Sequence, residues 1–424
     1  MTGVTGPHPV TTAKSARPCW SQPFRIFFPS AALVGAGLIV PWLVAYLAGW
    51  DGPIPGGAIV WHIHEMVFGL GMAAVGGFLL TALPAWSGAP MVRGRGLAGL
   101  WAAWAVARGA ALLTGVLPPT LAAALLVVPT LAFGTLIAVA VLRHAQGRHA
   151  VFAVAALGMM GTHGLFVVLW LDLPPAGLIG IMIEGRVGHP LRWLGDLGVL
   201  LLVWIHACVI SRVAPVLGPE ALRLSGRPPM PPPDPSRNRL VALTLGATVL
   251  AYAVAPLSPV TAWMAWAAAA AQMDRLGAIW IGRAARHSFF HGFVLSTLFL
   301  VTALALFGAA RLLHLPWLDA AWHAAGAGTL AVGCLTVFGV ASRRHMGGTL
   351  PLSRPATAAI WLAAAGAGLR VAAPFTWALG WAPGLLWGST LLWSGAFLVF
   401  LIGHARLLLG RTPVSHPPTR GPSA

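Results

Sequence analysis

The sequence predicts an all-α, polytopic membrane helix bundle of about twelve transmembrane helices, with both termini cytoplasmic. Three observations carry this. Twelve apolar runs each approach the roughly 20 residues that a helix rising 1.5 Å per residue needs to cross a hydrocarbon core of about 30 Å. The chain of 424 residues is 58% hydrophobic and only 8% charged, so lipid is its main solvent. When the runs alternate across the membrane, most of the 26 basic residues collect on one side, which is the positive-inside pattern.

Residues 1–25 are expected to form a cytoplasmic tail, because they lack the apolar region of a cleavable signal peptide. The transmembrane domain then covers 26–411. Its first span is 26–50. The second, 58–84, opens on "IVWHIHEMVFGLG" from Ile59 and carries His62, His64 and Glu65. Spans at 97–116, 118–142 and 150–171 follow, with Arg108 in the third and His163 in the outer half of the fifth. Residues 176–183 are apolar but too short to cross. "RVGHPLRW" is the main charged external loop, ahead of the sixth span at 194–217.

The polar stretch from Gly218 to Arg239 is rich in proline, which cannot sustain a helix interior. It reads as a cytoplasmic linker between two halves, 26–217 and 240–411. A short seventh span at 240–256 leads to spans at 259–282 and 289–308, the latter with His291. Span ten, 320–341, starts at His323, and His345 lies just beyond its end. Spans at 355–374, with Arg370, and 383–410, with His404, complete the bundle. Residues 412–424 form a cytoplasmic tail.

The formal charge of +17 does not indicate nucleic acid, since the basic residues are scattered between apolar runs and form no basic face. Cys19, Cys208 and Cys334 have no metal or disulfide spacing and read as inert thiols. "HEMVF" is not the zinc-protease pattern, because Phe68 stands where a second histidine would be required.

Histidines inside a membrane usually face the bundle interior and mark a site, and neutral imidazole is a common ligand for copper and haem iron. The outer histidines, His62, His64, His163 and His323, are therefore candidate ligands. His62 and His64 are two residues apart, about 200° around a helix, so they serve different directions unless the helix starts after His62. Arg108 and Arg370, in the outer half, each need an anion. Glu65, a bound acidic group or a helix-to-helix ion pair would each satisfy one. The glycines of "FGLGMAAVGGF" allow close helix packing and could also leave room for a flat macrocycle. His323 and His345 lie 22 positions apart, roughly 33 Å along a helix, so they cannot bind one metal.

Several motifs resemble the NnrS family. "PFRIFF" from Pro23 resembles its P-F-R-x-F-F. "WHIHEMVFG" with "GFLLTALPAWSG" resembles its W-H-x-H-E-M-x-F-G and G-F-L-L-T-A-x-P-x-W-x-G. "ISRVAPVL", "FFHGF" and "WHAAGAGTLAVGCLTVFGVASRRHMGGTLP" are similar to later segments. The chain departs from the pattern at Ala214–Leu217, at Val340 and at Arg344–Gly348. The resemblance implies a multi-pass protein of the bacterial inner membrane that contains haem and copper and takes part in the response to nitric oxide, in denitrification or nitrosative stress. It carries His62, His64, His323, His345, His291 and His163 over as candidate metal ligands. Arg108, Arg370 and Arg212 become candidate cofactor-binding residues, with Glu65 and Arg25 in support. The alternative reading is a twelve-helix secondary transporter without a metal cofactor.

Overall fold

In the computed structural model, residues 18–50, 52–145, 149–229, 234–278 and 281–410 are described. Of the expected tails at 1–25 and 412–424, residues 1–17 and 412–424 lie outside them, while 18–25 are described and Pro23–Arg25 already belong to the first long helix. All twelve expected runs are helical, and no strand occurs among the described residues. The long helices are α1 (Pro23–Leu47), α2 (Gly57–Ser87), α3 (Gly94–Leu112), α4 (Pro119–His144), α5 (Ala150–Trp170) and, after the short α6 (Ala176–Val187), α7 (Pro190–Leu224). They continue with α8 (Pro235–Val254), α9 (Pro259–Ala278), α10 (Ser288–Leu312), α11 (Leu318–His345), α12 (Arg354–Leu379) and α13 (Ala382–Leu409).

Nine of these, among the described residues, are long and apolar enough to cross a membrane. The other three long helices, α3, α8 and α9, have 19 or 20 residues. They are diluted by glycine and alanine and by Arg95 and Arg108, Arg237 and Arg239, and Asp274 and Arg275 respectively. Length suits them to a span; composition alone does not.

Local sequence explains the irregularities. α1 is interrupted at Leu38. Pro41 lacks the N–H that would bond to Gly37 and its ring crowds that carbonyl, so the break falls where it does. The stretch expected to be a linker is partly helical. α7 runs through Pro215 and Pro219 to Leu224, because Leu217, Gly218, Ala221 and Leu222 are buried on that turn and packing outweighs the lost hydrogen bond. α8 restarts at Pro235, a residue preorganised for a first helical position. The Asp234 carboxylate caps it, accepting from Ser236 N at 2.8 Å.

The core is set by three helices. In their most apolar windows α2 is 83%, α7 78% and α11 72% buried, against 39–56% for the other six candidate spans. A helix that is apolar all round and this buried is an inner helix; the others turn one face to lipid. α2 packs on α1, α4 and α7, α11 packs on α7, α10 and α12, and α1 closes the bundle against α13. α6 leaves Leu178, Ile181 and Met182 exposed, as suits an apolar helix too short to cross.

Two basic residues expected on the cytoplasmic rim are instead buried, each 2% exposed. Arg25 donates to the carbonyls of Leu408 (2.9 Å) and Gly410 and touches Met346 Sδ. Arg275 donates to Ala207 O (2.7 Å), Ser211 Oγ and Gln272 Oε1. Both use carbonyl and amide oxygens where helices meet, a placement that a hydropathy profile does not reveal.

Candidate functional site

The inner helices α2 and α11 share an unusual backbone feature. Immediately after His64, residues Glu65–Gly71 of α2 form a π-helical turn, and immediately after His323, residues Ala324–Leu330 of α11 form another. Such turns are rare and concentrate at functional sites. Each widened turn has a carbonyl held from outside by an indole. Trp104 Nε1 donates to Gly69 O at 3.0 Å, and Trp393 Nε1 donates to Ala327 O at 3.2 Å.

Beside each turn stands a histidine, a carboxylate and an arginine from the next helix in sequence. On α2, Arg108 of α3 donates to Glu65 Oε1 at 2.6 Å, and the same oxygen meets His64 Nδ1 at 2.9 Å. On α11, Arg370 of α12 grips both oxygens of Asp319 at 2.8 and 3.2 Å, and His323 Nδ1 donates to the Asp319 carbonyl at 2.8 Å. Both arginines thus have their anion within the protein, as helix-to-helix ion pairs. Asp319 was not among the expected site residues. Its signal was the i, i+4 spacing to His323 on one helix face.

The two units differ in what they leave open. His64 is wholly buried and both its ring nitrogens are engaged, Nε2 lying 3.0 Å from Nε2 of His163. His163 Nδ1 lies 2.8 Å from Thr130 Oγ1. With Glu65 ionised against Arg108, the protons fall in one register. His64 Nδ1–H donates to Glu65, so His64 Nε2 must accept from His163 Nε2–H, and His163 Nδ1 must accept from the Thr130 hydroxyl. The chain of five side chains is closed at both ends, with Glu65 Oε2 its one buried atom lacking a partner.

His62 points elsewhere, as the 200° separation requires. Its ring stacks on Trp42 at 4.0 Å, and it lies within electrostatic reach of His323, Asp319 and Arg370. His62 Nδ1 is buried and has no partner. His323 Nε2 meets no donor or acceptor among the described residues, while its Nδ1 is fixed by a backbone carbonyl. A ring nitrogen pinned on one side and open on the other is the usual disposition of a metal-ligating histidine. Among the described residues no three His, Cys, Asp or Glu side chains group closely enough to hold an ion.

The remaining expected residues lie apart from this region. His345 is exposed at the opposite end of α11, against Phe24. His291 packs on Trp361 and bonds through Nδ1 to Arg286 O at 3.2 Å, and its buried Nε2 has no partner among the described residues, but it lies on α10 away from both π turns. Arg212 lies over the rings of Trp86 and Phe152. Arg25 secures the helix ends described above. His206, in the middle of α7, meets Ser296 Oγ at 3.2 Å. The glycines of α2 serve helix contact and leave no slot: the space a side chain would take is filled by Arg108 at Gly69, Leu202 at Gly71, Phe133 at Gly76 and Phe27 at Gly77.

The family model described as NnrS protein matches residues 18–411, which includes every histidine and arginine of both units. No curated protein matches the chain.

Proposed function

Because this chain belongs to the NnrS family, we propose that it is a multi-pass inner-membrane metalloprotein of the bacterial nitric oxide response, with a copper site at His62 and His323. The observation that supports this most is the buried, unpartnered Nδ1 of His62 together with His323, whose Nδ1 is held by a backbone carbonyl, each on an inner helix beside a π turn. Neutral imidazole suits copper and haem iron alike, and the Asp319–Arg370 pair leaves no unbalanced charge beside it.

The residues divide the work. Asp319, held by Arg370, fixes the ring of His323 so that Nε2 stays open. Trp42 holds the plane of His62. The closed chain from Arg108 to Thr130 locks α2 in rotation, which keeps His62 on the α11 side; His64 and His163 act as positioning residues. Copper bound there supplies a one-electron centre for nitric oxide. A haem finds no opening along the packed glycine face of α2. The transporter reading gains nothing from the repeated unit, which recurs on the second and tenth of the expected spans and not six spans apart as a six-plus-six carrier would place it.

The test is metal analysis and electron paramagnetic resonance of purified protein. Wild type is expected to carry copper; His62→Ala and His323→Ala are each expected to lose most of it, and His345→Ala to keep it. Copper-free wild type, or copper retained in both of the first two variants, would overturn the reading.

A further inference from the structure

A small, partly open apolar pocket lies where the inner helices α7 and α11 meet α8 and α10, one residue along the chain from His323. It is lined by Val203 of α7, Thr248 of α8, Leu304 and Phe307 of α10, and Trp322 and Ala325 of α11, among others. All of these except Trp322 are buried. It has room for about one guest the size of water or a diatomic gas.

Water is a poor occupant. A buried water needs two to four polar partners, and the surface facing the pocket is apolar throughout. The one hydroxyl in its wall, that of Thr248, already donates to Thr244 O at 2.8 Å. A void that water does not fill leaves its lining without contacts on one side, and an apolar guest restores them. Part of its wall belongs to the segment around the α11 π turn, with Trp322 just before it and Ala325 within it. The walls are otherwise firm: Trp322 packs edge-on against Tyr252 and Phe307, at 5.5 Å each.

We infer that this pocket is a holding site for one small apolar molecule, of the size and polarity of a diatomic gas, beside the His323 segment. That the natural guest is nitric oxide rests on the proposed function; that the site takes an apolar guest does not. Nitric oxide partitions into lipid, so a dry cavity inside the helix bundle would keep a gas molecule next to the His62–His323 region without a polar channel.

Xenon is the probe. The full chain, methyl-labelled at Val, Leu and Ala and embedded in lipid nanodiscs, is titrated with xenon and followed by NMR. Methyl groups of Val203 and Leu304 are expected to shift saturably, while the lipid-facing Val154 and Leu157 shift only in proportion to pressure. Ala325→Leu should abolish the saturable component, and the milder Ala303→Val, at a second wall residue on α10, should weaken it several-fold should the first variant not fold. Linear shifts throughout in wild type, or saturation unchanged in a folded filled variant, would overturn the inference. Copper is measured on the same sample: a copper-free protein that binds xenon rejects the proposed function alone, and a copper-loaded protein that does not bind xenon rejects the cavity alone.

Discussion

Glu65 shows how a single ionised group can be kept inside an apolar bundle. It is 1% exposed, and one of its oxygens serves both Arg108 and His64. Removing one partner of a buried ion pair leaves an uncompensated charge, which costs roughly 3–5 kcal/mol, whereas replacing both partners can be nearly neutral. Arg108→Met should therefore lower the unfolding temperature sharply in detergent. Arg108→Met combined with Glu65→Gln should recover most of the loss, and a double variant no better than the single one would contradict this account. The sequence placed Glu65 and Arg108 at one depth, so their pairing was legible. The partner of Arg370 was not, because Asp319 sits at the mouth of its span, where an acidic residue reads as loop. Nor could one sequence indicate that His163 meets His64, since that contact depends on which helices are neighbours.

The π turns are the elements that give the site its shape. A side chain at Gly69 would run into the Arg108 guanidinium, so Gly69→Ala should displace that group and destabilise the protein. Gly109→Ala, on the next helix, meets nothing within 4 Å and should be neutral or stabilising by up to about 1 kcal/mol, as expected for Gly→Ala in a helix interior. Differential scanning of the two variants checks the contrast. Trp104→Phe removes the donor to the Gly69 carbonyl and should cost about 1–3 kcal/mol, the penalty of an unsatisfied buried polar group. None of this could be read beforehand. A π turn shifts the helical register by one residue over a short stretch, which apolar periodicity is too coarse to register. The proline-rich stretch from Gly218 is helical as far as Leu224 for a different reason: close packing can hold a helix through two prolines.

At the scale of the whole molecule, hydropathy located every long helix among the described residues, since a backbone that crosses lipid has no other regular structure available to it unless it closes into a barrel. It separated inner from outer helices less well, because both are apolar and only contacts distinguish them. The proposed twelve-span topology with cytoplasmic ends makes a direct prediction. In a variant lacking the three native cysteines, a cysteine at Ile181 on α6 should react with an impermeant maleimide from outside the cell. One at Ser225, just past α7, should react only after permeabilisation, and labelling of both from one side would refute the arrangement. The contact of α1 with α13, drawn tight by Arg25, also bears on how the protein is made. The ribosome delivers α1 first and α13 last, so the face of the first helix around Gly35 waits for its final neighbour through nearly the whole of synthesis. Phe397 of α13 lies against Gly35 of α1, and until it arrives that seam stays open to lipid or to a membrane chaperone. A chain stalled before Ala382 would display an unfilled groove at Gly35, a mark by which a membrane protease can tell an unfinished molecule from a finished one.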